Sequence, residues 1–178
     1  MYRVPPAIDL LSQGDIFRGR FAFPYIDDPA AGIQIVRDNQ VRASTDVADA
    51  WQNGSEVMLS AAQVSDFVVI LSQSCDAENA QRRPLDYITL GAVRPFNEMP
   101  AASHQDCRRN RLIRYHYLSA DANAGLPESF VHFGLLALVS QQSLVAFKGS
   151  RVLALEFPYR EDLSHRFGEF FSRVALPQ

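Results

Sequence analysis

A chain of 178 residues with 47% hydrophobic and 21% charged residues has the composition of an ordinary globular domain, which excludes wholesale disorder. Its two cysteines, Cys75 and Cys107, are too few for a disulfide scaffold, and apolar runs such as Phe67 to Leu71 and Phe133 to Val139 fall far short of the ~20 residues that span a bilayer. The formal net charge of −3 conceals an asymmetry, because residues 82–114 carry seven arginines against Asp86, Glu98 and Asp106, a local +4 that leaves −7 elsewhere.

Met1 to Pro6 carry no signal-peptide pattern, so the expected location is the cytoplasm, in agreement with the sparse cysteines. From Gly14 to Ala22, Phe17 and Phe21 alternate with Ile16, Arg18 and Arg20, which predicts a first strand after a glycine turn. Pro24, Asp27-Asp28-Pro29 and Gly32 then break the chain, and the weaker pattern up to Asp66 reads as an insertion at about 27–66. Inside it, Ile33 to Val36 and Glu56 to Val64 are expected to pair as strands, with a short helix capped by Ser44 or Thr45 and running through Trp51.

Phe67 to Leu71 is a continuous β-branched and apolar run with no polar face, so it predicts a strand covered on both sides. Leu85 to Val93 is the next strand, Ala101 to Asn110 is expected to be helical, and Leu112 to Leu118 alternates again, with Leu112, Arg114, His116 and Leu118 on one face. Asn123, Gly125 and Pro127 mark a turn, after which Phe130 to Val139, Leu144 to Phe147 and Arg151 to Leu155 read as strands, the last two joined by a turn at Lys148-Gly149-Ser150. From Tyr159, Leu163, Phe167, Phe170, Phe171 and Val174 recur at helical spacing and predict an amphipathic helix over about 159–174. The fold class expected is mainly β with added helix.

The best candidate site is the turn Ser72-Gln73-Ser74-Cys75-Asp76, where a rigid strand delivers hydroxyls, an amide, a thiol and a carboxylate to the surface. Cys75 would act as a nucleophile if His104 or His116 served as its base; in the plain alternative Ser74 and Asp76 bond their own backbone and Cys75 is a small core residue. Cys75, His104, Cys107 and His116 also supply two sulfurs and two imidazoles, enough for zinc, although the spacings match no standard zinc pattern. Arg108, Arg109, Arg111 and Arg114, interleaved with Tyr115 and Tyr117, offer cations and stacking faces for single-stranded nucleic acid. No phosphate-binding glycine loop and no glycine-flanked serine nucleophile is present.

Gly14-Asp15-Ile16 opening one strand and Val68-Val69-Ile70-Leu71-Ser72 forming a buried one, followed by further strands and a last helix, resemble the MazF/PemK/Kid toxins, small dimeric bacterial endoribonucleases. The resemblance implies a single SH3-like, partly open barrel over 1–178, closed by the helix at about 159–174, and by analogy a homodimer. Those toxins usually carry a catalytic Arg-Pro pair before the buried strand, where this chain has Ser65-Asp66-Phe67, and a threonine that Gly91-Ala92-Val93-Arg94-Pro95 lacks. The expectation is therefore a non-catalytic or cryptic barrel of a toxin-like or defence-like system that binds nucleic acid or a protein. The alternatives are a metal-independent endoribonuclease using Asp76, Arg82 or Arg83, and His116, and a scaffold subunit of a multi-gene complex.

Overall fold

The computed structural model describes residues 1–6, 10–24, 33–37, 40–43, 56–59, 62–73 and 87–172. Its strands are β1 (Tyr2–Arg3), β2 (Asp15–Pro24), β3 (Ile33–Arg37), β4 (Gln40–Ala43), β5 (Glu56–Leu59), β6 (Ala62–Ile70), β7 (Tyr87–Pro95), β8 (Tyr115–Leu118), β9 (Ser129–Ser140) and β10 (Arg151–Leu155). Its α-helices are α1 (His104–Arg108), α2 (Gln141–Ala146) and α3 (Tyr159–Ser172). The chain divides into two compact units, one made of Met1–Phe21 and Ser65–Gln178, the other of Ala22–Val64.

The principal sheet is a curled antiparallel half-barrel of seven strands in the order β1-β10-β2-β6-β7-β9-β8. As the apolar run required, β6 is covered on both faces: Val68, Val69 and Ile70 have no exposed surface, and Phe67 is buried. One face joins Phe67, Val69 and Leu71 to Ile16, Val131, Phe133, Leu153, Leu155 and Leu163, the last from α3. Phe167 and Phe170 extend that contact with ring centroids 5.5 Å and 5.9 Å from Phe133, so α3 seats Leu163, Phe167 and Phe170 of the predicted stripe on the sheet, whereas Phe171, also expected there, is 45% exposed. Val174 lies outside the described residues.

Gly91 of β7 packs against Leu71, just after β6, and Val131 of β9. A Cβ there would lie 2.7 Å from Leu71 Cδ1 and 3.1 Å from Val131 Cγ1. Next to it the β7–β9 register jumps from Gly91 opposite Leu136 to Ala92 opposite His132, a bulge that bends β9. At the other side of the sheet, Asp15 and Arg151 form a buried ion pair of 2.8 Å, and Arg151 also donates to the carbonyls of Leu10 and Pro6, pinning the segment before β2.

Two sequence expectations are corrected. Leu144 to Phe147 is not a strand: Ser140 Oγ accepts a hydrogen bond from Ser143 N and caps α2, of which only Leu144 is buried. The turn at 148–150 is consequently a 3₁₀ turn leading from that helix into β10, not a hairpin. The second correction concerns β8, which begins at Tyr115 rather than Leu112, because the preceding residues form a loop held by side chains of α3.

The smaller unit holds a three-stranded antiparallel sheet in the order β4-β3-β5. β3 pairs with β5 from Ile33 opposite Leu59 to Val36 opposite Glu56, as expected for the first part of Glu56 to Val64, whereas Ala62 to Val64 belong to β6 of the principal sheet, and β4 adds a strand that the pattern did not reveal. The helix expected between Ser44 and Trp51 lies outside the described residues.

Candidate functional site

The turn that follows β6 is anchored at its start. Leu71 N donates to Thr89 O at 2.9 Å, Gln13 Nε2 donates to Leu71 O at 2.7 Å, and Thr89 N donates to Ser72 Oγ at 2.9 Å. Ser72 is thus tied to β7 by its own hydroxyl, and Gln73 is exposed. Ser74, Cys75, Asp76, Arg82 and Arg83 lie outside the described residues.

The basic segment between 94 and 114 separates into paired and unpaired arginines. Arg94 Nε donates to Glu98 at 2.6 Å. Arg108 makes a two-pronged contact with Glu128, at 2.7 Å and 2.8 Å, and lies over the Phe96 ring at 5.0 Å. Tyr117 Oη donates to the same carboxylate at 2.9 Å, and the hydrogen bonds from Arg108 hold Glu128 below the usual carboxylate range. Arg111 has only a loose contact with Asp106, 3.7 Å between two exposed side chains. Arg109 and Arg114 are exposed and form no ion pair among the described residues.

These last three arginines sit on one loop, and that loop is firmly built. Helix α1 stops at Asn110, whose φ of 52° is the left-handed conformation that asparagine tolerates. Asn110 N donates to Cys107 O and Arg111 N to Asp106 O, the double bond pattern that closes a helix end. The Asn110 side chain accepts from Tyr117 N at 2.8 Å and donates to Asp162 at 3.1 Å. From α3, the Arg166 guanidinium donates to the carbonyls of Asn110, Leu112 and Tyr115. Tyr115 stands edge-on to Phe130 and His132, with centroids 5.0 Å and 5.1 Å away.

His116 lies beneath this clamp with no exposed surface, and neither ring nitrogen has a hydrogen-bond partner among the described residues. Burial, with the Arg166 cation beside it, lowers its pKa to about 3. Asp162 Oδ2 at 3.5 Å from Nδ1 pulls the other way, but that carboxylate is 46% exposed and already accepts from Asn110, so burial prevails and the ring is neutral. His116 therefore belongs to the interior and not to a polar strand face. In this conformation it cannot touch a substrate, which removes it as the acid or base of the predicted nuclease.

The zinc set is not assembled either. His104 Nε2 is 3.0 Å from Met99 O and its ring packs on Phe96, while Cys107 is buried among Phe96, Met99 and Phe130 with its thiol pushed up to about 11 by burial. Among the described residues no group of three His, Cys, Asp or Glu side chains converges, so His104, Cys107 and His116 do not form a metal site, and Cys75 lies outside the described residues. Sequence reasoning found Arg109, Arg111 and Arg114 but missed Asn110, Asp162 and Arg166, which build their loop. Asn110 at the end of a predicted helix was the one local signal. Comparison of the chain with protein families, curated proteins and solved structures gives no match. Among the described residues no helix is long and apolar enough to cross a membrane.

Proposed function

We propose that this chain is a non-catalytic, SH3-like binding module of a toxin-like or defence-like system that takes the phosphates of a single-stranded nucleic acid on Arg109, Arg111 and Arg114. The observation that supports this is the loop itself: three exposed guanidinium groups, two of them without an acid partner among the described residues, on a backbone held in place by Arg166 and Asn110. A cationic surface ordered before binding loses little entropy on contact with phosphate, and planar guanidinium groups match its oxygens in pairs. Partly exposed Tyr115, at the edge of the same loop, adds an aromatic face beside the cations. The toxin-like setting and the non-catalytic role both rest on the sequence resemblance and its missing Arg-Pro pair.

The test is the salt dependence of binding to a fluorescent single-stranded RNA, wild type against the triple variant Arg109→Ala, Arg111→Ala, Arg114→Ala. Three lost phosphate contacts should flatten the slope of log affinity against log salt by about 2 and weaken binding at low salt. Equal slopes for the two proteins would move the function away from this loop and toward a protein partner.

A further inference from the structure

Beside the arginine loop, β9 departs from its partner strand. Ala92 of β7 lies opposite His132 and the preceding Gly91 opposite Leu136, so Phe133, Gly134 and Leu135 fall between the two pairs with no partner on β7. Bulges of this kind re-aim a side chain, and they are frequent next to functional sites. This one is tied to the loop: Phe133 N donates to Arg114 O, and His132 stands directly opposite Tyr115 of β8.

Gly134, in the bulge, holds the His132 ring in one state. Its N–H donates to Nδ1 at 3.0 Å, and a Cβ at this position would lie 3.0 Å from Cε1 and 3.4 Å from Nδ1, so the ring rests over the glycine where a side chain would crowd it. A ring nitrogen that accepts a hydrogen bond does not carry the proton of the neutral imidazole, which leaves that proton on Nε2. Tyr115 stands against the same ring, with centroids 5.1 Å apart and the planes at 76°. Burial lowers the His132 pKa, outweighing a hydrogen bond with its own backbone, and the cations of Arg114 and Arg94 lower it further, so the ring is neutral at pH 7. Nδ1 is the nitrogen nearer the backbone. Nε2, on the far side of the ring, has no hydrogen-bond partner among the described residues, and the side chain is partly exposed.

We propose that His132 is a fourth phosphate contact of the surface formed by Arg109, Arg111 and Arg114, donating from Nε2 to an oxygen of the phosphate held by Arg114. Of the two cations that act on the ring, Arg94 is engaged by Glu98, whereas Arg114 is exposed and forms no ion pair among the described residues. A phosphate on Arg114 has more acceptor sites than one guanidinium fills, and hydrogen bonds to a charged oxygen are the strong ones. A donor already fixed in tautomer and position adds such a bond at little cost in entropy and without adding charge. The inference rests on the nucleic-acid reading above and goes beyond it by placing a neutral contact among the cations.

The measurement is binding of the fluorescent single-stranded RNA, and of an abasic strand with the same number of phosphates, to wild type, His132→Ala and His132→Gln. Loss of the contact in His132→Ala should weaken binding of both strands about tenfold and leave the slope against salt unchanged, because no cation is removed. His132→Gln, which sets an amide N–H near the place of Nε2, should recover most of that affinity. In the wild type, nitrogen NMR of the histidine rings should show the His132 proton on Nε2 and a shift of that resonance when RNA is added. Unchanged affinity in His132→Ala, a loss confined to the strand that bears bases, or a ring resonance that RNA leaves in place would each overturn the inference. The arginine reading would still stand if the triple variant Arg109→Ala, Arg111→Ala, Arg114→Ala flattened the slope. Equal slopes for wild type and that triple variant would sink both.

Discussion

Acid should weaken this fold between pH 6.5 and 3 through one buried ring. His116 is fully buried and its folded pKa is lowered to about 3, against about 6.5 in the unfolded chain. Above pH 7 the ring is neutral in both states and contributes nothing to pH dependence. As pH falls through 6.5 the unfolded state takes up the proton and the folded state does not, so stability is lost progressively until the folded pKa is reached. At about 1.4 kcal/mol per unit, the loss is about 2 kcal/mol by pH 5 and approaches about 5 kcal/mol near pH 3. Carboxylates titrate in the same range, so the assay is a difference: urea unfolding of wild type and His116→Leu at pH 7.5, 6.5, 5.5 and 5. Because neither ring nitrogen has a hydrogen-bond partner, the apolar variant should lie within about 1 kcal/mol of wild type at pH 7.5 and gain about 2 kcal/mol relative to it by pH 5. Parallel stability curves over that range would refute the reasoning and place His116 in contact with water or with a proton acceptor.

Two further substitutions probe how the loop and the sheet are held. Arg166→Met removes donors to three backbone carbonyls at once and should cost about 3 kcal/mol, with amide exchange speeding up in residues 110–117 ahead of the rest of the sheet; uniform exchange would mean that the clamp is dispensable. With its neighbouring cation gone, the His116 pKa should move upward. Gly91→Ala places a methyl group against Leu71 and Val131 and should destabilise by about 1–3 kcal/mol in denaturant, whereas an unchanged midpoint would show that β6 can draw back from β7.

The strands with a strong period are legible in the amino-acid sequence alone. β2, β6, β7, β9 and β10 fall on the predicted segments to within a few residues, and α3 follows the predicted stripe from Tyr159. α2 is misread for a physical reason. A four-residue apolar run such as Leu144 to Phe147 has no period long enough to separate strand from helix, and the decision falls to the Ser140 cap. β4 is missed because Gln40 to Ala43, although it alternates, is only four residues long, too short a pattern to announce a strand without its partner β3.

The site divides along the same line. By itself the sequence determined the apolar segments, the end of α1 near Asn110, and the clustering of arginines at 108–114, because each of these depends on residues within a few positions of one another. Only the tertiary structure decided which cations remain free. Arg108 is engaged by Glu128, 20 residues away, and the loop of Arg109, Arg111 and Arg114 is held by Arg166, more than 50 residues further on. The fate of His116 was settled the same way. On β8 its alternation with tyrosines resembles a polar face, but α3 folds over that face and buries it, and no local pattern in Leu112 to Leu118 encodes what a helix beginning at Tyr159 will cover. Contacts across such separations depend on how the chain closes, which is a property of the whole core and not of any segment within it.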